Sequence, residues 1–254
     1  MLKLAFYGKG GIGKSTTVCN LALALAEKGL QVMQIGCDPK ADSTAALLNG
    51  RRAVTVLDLI RKYNDDFSWQ DMVFTGEKNV HCVEAGGPVP GLGCAGRGII
   101  NALEKLESKG VYQALKIDVV LYDVLGDVVC GGFAMPMRSG YADKVYIISS
   151  GENMSIYAAA NIAMAVKNFQ QRNYARLGGF ILNCRDVNDE LNKVKTLAAD
   201  FDSCITGILP RSSIVCEAEE LNQAVLSAFP NSDMAQCYRN LADSILADNG
   251  VVLC

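Results

Sequence analysis

Two cysteines that lie in glycine-rich stretches are the residues of this chain best suited to hold a metal cluster. Cys94 lies in the sequence GLGCAGRG and Cys130 in the sequence VVCGGF. A cubane iron–sulfur cluster normally takes four cysteine thiolates, and flanking glycines leave room for it and expose backbone N–H groups to its sulfides. Because one chain offers only two cysteines in such a setting, the pattern predicts a cluster shared by two copies of the chain across a twofold axis.

A phosphate-binding loop follows the first apolar run of the chain. Residues 8–16, GKGGIGKST, have the pattern of glycine, four residues and Gly-Lys-Ser between a predicted strand and a predicted helix. Glycines allow backbone N–H groups to converge on phosphate oxygens, and the helix N terminus adds its positive dipole end. Lys14 is expected to bridge the β- and γ-phosphates, and the Ser15 hydroxyl to ligate Mg²⁺. The candidate nucleotide-binding residues of the loop are Gly8, Lys9, Gly10, Gly11, Ile12, Gly13, Lys14, Ser15 and Thr16.

Lys9 carries a further prediction. A second lysine directly after the first glycine resembles the phosphate loop of dimeric ATPases related to the septum-positioning and partition proteins. In that class the lysine reaches the nucleotide of the partner subunit, so the resemblance implies that Lys9 is catalytic and that hydrolysis requires a dimer. The alternative interpretation is a solvated loop lysine.

Two further loops supply acidic residues to the predicted site. The sequence GCDPKADST follows the second predicted strand, and DVLGD follows the fourth. An apolar strand that ends in aspartate is a common way to hold Mg²⁺ and its water shell, and Asp123 fits that role. Asp38 is expected to orient or deprotonate the attacking water, and Asp42 to contact Mg²⁺ indirectly. Gly126 would let the loop that carries Asp127 move when the γ-phosphate leaves, although each aspartate alone could be an ordinary turn residue.

The composition excludes several functions for this chain of 254 residues. Its formal net charge of −3 lacks the basic excess of a nucleic-acid-binding protein, and no apolar run approaches the roughly 18–20 residues of a membrane-spanning helix. The chain has 10 cysteines, a single histidine at His81 and no Cys-x-x-Cys pair, a combination that does not favour a zinc finger or a cluster-assembly scaffold. Most cysteines, Cys82 and Cys204 among them, are expected to be buried thiols in a reducing compartment, which predicts a cytoplasmic protein.

Short β-branched runs alternate with helical patterns along the whole sequence. The predicted strands are 2–7, 31–36, 80–84, 118–122, 144–149, 177–182 and 204–209, and the predicted helices are 15–28, 55–63, 98–108, 155–169, 190–198 and 232–247. Such alternation predicts the α/β fold of a P-loop NTPase, with a mostly parallel sheet flanked by helices on both faces. No linker divides residues 1–254, so a single domain is expected. The polar stretch 64–66 is expected to be a surface loop.

Four segments of the sequence resemble the nitrogenase iron protein family, the ATP-dependent reductases that deliver electrons to nitrogenase and to related tetrapyrrole reductases. The segments are YGKGGIGKSTT, GCDPKADST, CVEAGGPVPGLGCAGRG and YDVLGDVVCGGFAMP, and the similarity extends to about Pro210. The resemblance implies a homodimer bridged by one 4Fe-4S cluster, which Cys94 and Cys130 of each subunit ligate. It also implies that MgATP hydrolysis drives one-electron transfer to a nitrogenase or nitrogenase-like catalytic component, with ferredoxin or flavodoxin as the electron donor.

The resemblance also assigns roles to individual residues. Asn183, Pro210 and Arg211 match positions that face the nucleotide base and ribose. Arg97 matches an arginine of the partner-docking surface that some members modify by ADP-ribosylation. The ATP site that the resemblance implies near the dimer interface contains Lys9, Lys14, Ser15, Asp38, Lys40, Asp42, Asp123 and Asp127.

The chain departs from the family pattern in places that bear on its partner. Residues 45–79 have no close counterpart, and the chain ends where family members continue into a longer C-terminal tail. Ala41 follows the nitrogenase form, whereas residues 34–37, QIGC, look more like the tetrapyrrole-reducing branches. The choice between these two electron acceptors therefore stays open. The alternative from another class is a partition- or septum-type ATPase without a redox role, but the predicted helix 232–247 lacks the basic face common in such proteins.

Overall fold

A sheet of eight strands forms the centre of the molecule in the part of the chain that the structure covers. The structure, a computed structural model, describes residues 1–87, 95–126, 135–138, 140–170 and 174–251. The strands are β1 (Leu2–Tyr7), β2 (Val32–Cys37), β3 (Phe74–Thr75), β4 (His81–Glu84), β5 (Val119–Val124), β6 (Lys144–Ser149), β7 (Arg176–Asn183) and β8 (Ile205–Leu209). They lie in the order β3-β4-β2-β5-β1-β6-β7-β8, and each pair is parallel except β3 with β4.

In addition to four short 3-10 helices, nine α-helices connect or follow these strands within the described ranges. They are α1 (Lys14–Glu27), α2 (Val56–Tyr63), α3 (Ala95–Ser108), α4 (Val111–Ala114), α5 (Asn153–Gln170), α6 (Glu190–Asp200), α7 (Ser213–Glu220), α8 (Val225–Ala228) and α9 (Asp233–Asp248). Parallel strands need crossover connections, and helices provide them here.

The helices cover both faces of the sheet, and each face has its own hydrophobic core. Along β1, Ala5 and Tyr7 join one core with helices α3, α5 and α6, whereas Leu4 and Phe6 join the other with α1 and α9. This alternation follows from the two-residue period of a strand. Because both faces are buried, strands such as β2 and β5 consist entirely of buried residues. The α/β fold predicted from the sequence is confirmed.

The sequence located the long elements well and missed the short ones. The predicted bounds of β1 and β6 are those of the structure, and the polar stretch 64–66 is exposed, as predicted. The two-residue strand β3 and the helices α4, α7 and α8 were not predicted. These elements are too short, or too polar along their length, to show a clear period of their own.

Helix α9 is fixed to the body of the protein along its length. Met234, Tyr238 and Leu241 on this helix are buried in the core shared with α1. At its outer side Arg239 forms two hydrogen bonds to the Glu27 carboxylate, at 2.7 and 3.1 Å. The apolar face of the helix is therefore occupied by the protein's own core.

Candidate functional site

The phosphate-binding loop has the strand–loop–helix context that the sequence predicted. It leaves β1 after Tyr7 and enters α1 at Lys14. Gly11 and Gly13 have φ values of 75° and 89°, in the left-handed region that residues with a side chain rarely adopt. A Cβ on Gly13 would also come within 2.7 Å of Asn183 Nδ2. Both positions therefore favour glycine for the turn, and Gly13 also requires it for the close approach of β7.

The loop forms one wall of a cleft of about 540 Å³ at the carboxyl edge of the sheet. This volume is within the usual range of ligand pockets, roughly 300–1,000 Å³, so the residues present leave enough space for a nucleotide. Of the residues that the sequence predicted, the cleft is lined by Lys9, Gly10, Gly11, Gly13, Lys14, Ser15, Thr16, Asp38, Lys40, Asp42, Asn183, Pro210 and Arg211. Gly8 and Ile12 also belong to the loop, but they are buried and do not line the cleft.

Several residues of the cleft were not recognised from the sequence. They are Leu125, Cys184, Arg185, Ser212, Val215, Cys216, Glu219 and Tyr238. Arg185 donates a hydrogen bond to the Gly11 carbonyl at 2.9 Å, and Asn183 donates one to the Ile12 carbonyl at 2.6 Å. The end of β7 thus holds the phosphate-binding loop by its carbonyl groups. An arginine only two positions after the predicted Asn183 was the sequence signal that could have identified Arg185.

Lys14 and Asp123 form a buried ion pair behind the cleft. The Lys14 ammonium contacts Asp123 Oδ1, and the Ser43 hydroxyl donates a hydrogen bond to Asp123 Oδ2 at 2.5 Å. The Asp123 side chain is 1 % exposed and that of Lys14 is 10 % exposed. Removing either charge would leave the other one poorly solvated.

The loop after β2 is exposed near the cleft and buried at its far end. Asp38 Oδ1 accepts a hydrogen bond from the Lys40 backbone N–H at 2.9 Å. Ala41 has a φ of 51°, which costs free energy for a residue with a Cβ. Beyond Asp42, residues Ser43 and Thr44 are buried. The loop is therefore strained where it faces the cleft and fixed where it leaves it.

Glu84, which the sequence did not single out, is a buried carboxyl at the end of β4. Its Oε1 accepts hydrogen bonds from the Thr44 backbone N–H and from the Thr44 hydroxyl, both at 2.7 Å. Its Oε2 has no hydrogen-bond partner among the described residues. Burial raises the pKa of Glu84 to about 7, the carboxylates of Asp123 and Asp42 add to the rise, and the hydrogen bonds from Thr44 oppose it.

The raised pKa of Glu84 makes the stability of the protein depend on pH. Because the folded chain binds this proton more tightly than the unfolded chain, the free energy of unfolding falls as pH rises from 4.5 to about 7. The contribution of this shift is on the order of 3 kcal/mol, at about 1.4 kcal/mol per pH unit. Urea unfolding between pH 4.5 and 8 is expected to show this loss in the wild type, relative to Glu84→Gln, which stays neutral. Parallel stability profiles for the two proteins would contradict the expectation.

The predicted cluster ligands Cys94 and Cys130, and the predicted switch residue Asp127, lie outside the described residues. The strands that lead to them are described. The order β4-β2-β5 places the ends of β4 and β5 at the same edge of the sheet, two strand spacings or about 10 Å apart. Both cysteine-containing segments therefore leave from one edge, which fits a chain that presents two thiols to one shared cluster.

Two residues beside these segments are well placed. Gly126 packs so closely on the Gly8 backbone that a Cβ would collide with the Gly8 carbonyl. Glycine is thus required at this position for close approach, in addition to the mobility that the sequence predicted. Arg97 is exposed on the first turn of α3, directly after Cys94.

The cysteines of the described residues range from buried to exposed, with Cys184 and Cys237 half-buried and Cys216 exposed. Cys19, Cys37 and Cys82 are buried, and burial raises the pKa of Cys19 to about 12. Cys204 is exposed, so the prediction that it is buried was wrong. It precedes β8, which lies at the edge of the sheet and is covered less than the central strands.

The fold and the phosphate-binding loop make this chain a P-loop NTPase. Solved structures of that fold include the septum site-determining protein MinD from Pyrococcus horikoshii in complex with Mg-ADP, which is 21% identical with a TM-score of 0.74 over 99% of this chain and 98% of that one. A ParA family ATPase from Chlorobium tepidum is 19% identical, with a TM-score of 0.72 over 95% and 97%. The chain belongs to the NifH/frxC family of 4Fe-4S iron sulfur cluster binding proteins, whose family model matches residues 2–253.

Relatives that match almost the whole chain support this assignment. The nitrogenase iron protein of Methanospirillum hungatei is 51% identical over 256 residues, which cover 100% of this chain and 90% of the relative. Nitrogenase iron protein 2 of Methanothermococcus thermolithotrophicus is 45% identical over 261 residues, covering 98% and 89%. The chain is accordingly an ATP-hydrolysing iron–sulfur reductase whose cofactors are a 4Fe-4S cluster and MgATP. Among the described residues, no helix is both long and apolar enough to cross a membrane.

Proposed function

We propose that two copies of this chain share one 4Fe-4S cluster and pass one electron at a time to a nitrogenase or nitrogenase-like catalytic component. MgATP hydrolysis would drive the transfer. The observation that supports the proposal is that β4 and β5, the strands that precede Cys94 and Cys130, end at the same edge of the sheet as β1, which leads into the phosphate-binding loop. When bound by Cys94 and Cys130 of both subunits, the cluster supplies the one-electron reduction.

Different residues of the cleft would bind ATP and promote its hydrolysis. The glycine-rich loop and the N terminus of α1 would hold the phosphates by backbone N–H groups. Lys14 would leave Asp123 for the β- and γ-phosphates, and Ser15 would ligate Mg²⁺ with Asp123 holding its water shell. Asp38 would orient the attacking water. Lys9 lines the cleft in this chain and would reach the nucleotide of the partner subunit.

The remaining predicted roles extend the same proposal. Asn183, Pro210 and Arg211 line the cleft and would face the base and ribose. Lys40 and Asp42 also line the cleft, and Asp42 would contact Mg²⁺ through water. Asp127 would respond to the loss of the γ-phosphate, and its movement would shift Cys130, which lies three residues further along the chain.

The partners of the dimer are inferred from Arg97, from the relatives and from residues 34–37. Arg97, three residues after Cys94 in the sequence, is exposed and would contact the catalytic component. The relatives named nitrogenase iron protein favour nitrogenase as that component, whereas residues 34–37 favour a nitrogenase-like reductase. Ferredoxin or flavodoxin would supply the electron, and the cytoplasm is the compartment that suits reduced thiols.

Anaerobic purification tests the shared cluster directly. The expected product is a dimer that is brown and contains about four iron atoms per dimer, the content of one 4Fe-4S cluster. An anaerobic pull-down with the tagged dimer and MgATP is expected to recover a nitrogenase or nitrogenase-like catalytic component. A colourless protein without iron would instead support the partition- or septum-type ATPase.

A further inference from the structure

Contacts at the end of β4 connect the nucleotide cleft with the segment that leads to Cys94. The Thr44 N–H and hydroxyl both donate to Glu84 Oε1, as described above, and both residues are buried. Thr44 ends the loop that carries Asp38 and Asp42 into the cleft. Glu84 ends the strand that precedes residues 88–94. The buried Glu84 carboxyl therefore holds the loop 38–44 against β4, the strand that leads to Cys94.

Two glycines let the segments approach each other so closely. A Cβ on Gly36 would collide with the Glu84 carboxylate, and a Cβ on Gly87 would collide with Pro39. Gly87 is the last residue described before the segment that contains Cys94. Pro39 follows Asp38 directly. The loop at the cleft thus contacts the approach to Cys94 at two places, Thr44 with Glu84 and Pro39 with Gly87.

The loop is also linked to the ion pair at the phosphates. The Ser43 hydroxyl donates to Asp123, which also contacts Lys14. The Ser43 carbonyl accepts a hydrogen bond from the Gln34 amide at 3.0 Å. When Lys14 moves toward a bound phosphate, the balance of contacts at Asp123 changes, and Ser43 lies next to Thr44. The contacts run without a gap from Lys14 to Glu84.

We propose that Glu84 is a positioning residue that transmits the nucleotide state from the loop 38–44 to the segment containing Cys94. This inference rests on the proposed function and adds a second connection to it. Asp123, Gly126 and Asp127 connect the nucleotide with Cys130, whereas Ser43, Thr44 and Glu84 connect it with Cys94. Both ligands that one chain contributes to the cluster would then respond to the γ-phosphate.

The experiment measures how MgATP changes the rate at which a ferrous-iron chelator removes iron from the holo dimer. Glu84→Met removes the acceptor oxygen with little change in shape, and Glu84→Gln keeps an oxygen that can accept both hydrogen bonds. In Glu84→Met the effect of MgATP on the rate is expected to fall at least about fivefold, the lower end of usual coupling between sites. Glu84→Gln is expected to behave as the wild type, and titration calorimetry is expected to give wild-type MgATP affinity for both.

A second pair of variants keeps the test decisive if Glu84→Met does not fold. Thr44→Val removes one hydrogen bond to Glu84 and keeps the branched shape, whereas Thr44→Ser keeps the hydroxyl. The inference is supported if the effect of MgATP on the chelation rate is reduced in Thr44→Val but not in Thr44→Ser. A full MgATP response in Glu84→Met or Thr44→Val would overturn it, as would a parallel loss of MgATP affinity. A wild-type dimer with a cluster but no MgATP response would refute the proposed coupling itself, a result distinct from these.

Discussion

Alanine in place of Cys94 or Cys130 is expected to remove the iron–sulfur cluster while the protein still binds MgATP. Each substitution takes away two of the four thiolates at once, because the dimer contributes the same residue twice. The iron content is expected to fall from about four atoms per dimer to nearly none. Iron analysis and the visible absorbance of anaerobically purified protein measure this loss. MgATP binding persists because the described residues that line the cleft lie in other segments of the chain.

A matched control separates ligation from a general effect of losing a thiol. Cys204 is exposed and has no glycine-rich setting, so Cys204→Ala is expected to keep the full iron content. Titration calorimetry with MgATP on each variant checks that the nucleotide site is intact. A Cys94→Ala or Cys130→Ala protein that retains a complete cluster would show that the ligand assignment is wrong.

The phosphate-binding loop could be predicted from the sequence because all of its determinants are local. Its glycines, Lys14 and the flanking apolar runs lie within one short segment. The left-handed backbone at Gly13 and the helix that begins at Lys14 follow from that segment alone. The same is true of strands such as β5 and β6, because a nearly continuous apolar run already indicates burial on both faces.

Glu84 could not be recognised because its role depends on a contact between distant segments. In the sequence it is a single acidic residue at the end of a predicted strand, and such residues are usually turn residues at the surface. Only the pairing of β2 with β4 brings it to Thr44, which is 40 positions away. Asn183 also depends on a contact between distant segments. Its position at the cleft was predicted, but its hydrogen bond to the Ile12 carbonyl was not.

Glutamine in place of Lys14 is expected to weaken MgATP binding by roughly a hundredfold or more. Hydrogen bonds from a charged group contribute about 1.5–3 kcal/mol each, and about 2.7 kcal/mol corresponds to a hundredfold change in Kd. Lys14 is the P-loop lysine and lines the cleft. Titration calorimetry of the variant and the wild type gives the two dissociation constants. An unchanged Kd would contradict the role assigned to this lysine.

The same substitution should also destabilise the protein, and a double variant separates the two effects. Lys14→Gln leaves the Asp123 carboxylate buried without its cation, which is expected to cost up to about 3–5 kcal/mol. In the double variant Lys14→Gln with Asp123→Asn both charges are absent, so urea unfolding is expected to show most of that stability restored while MgATP affinity stays low.

Lys9→Gln is the further control, because Lys9 would act on the partner's nucleotide. It should leave binding nearly intact and abolish hydrolysis, which would show that the dimer completes the site.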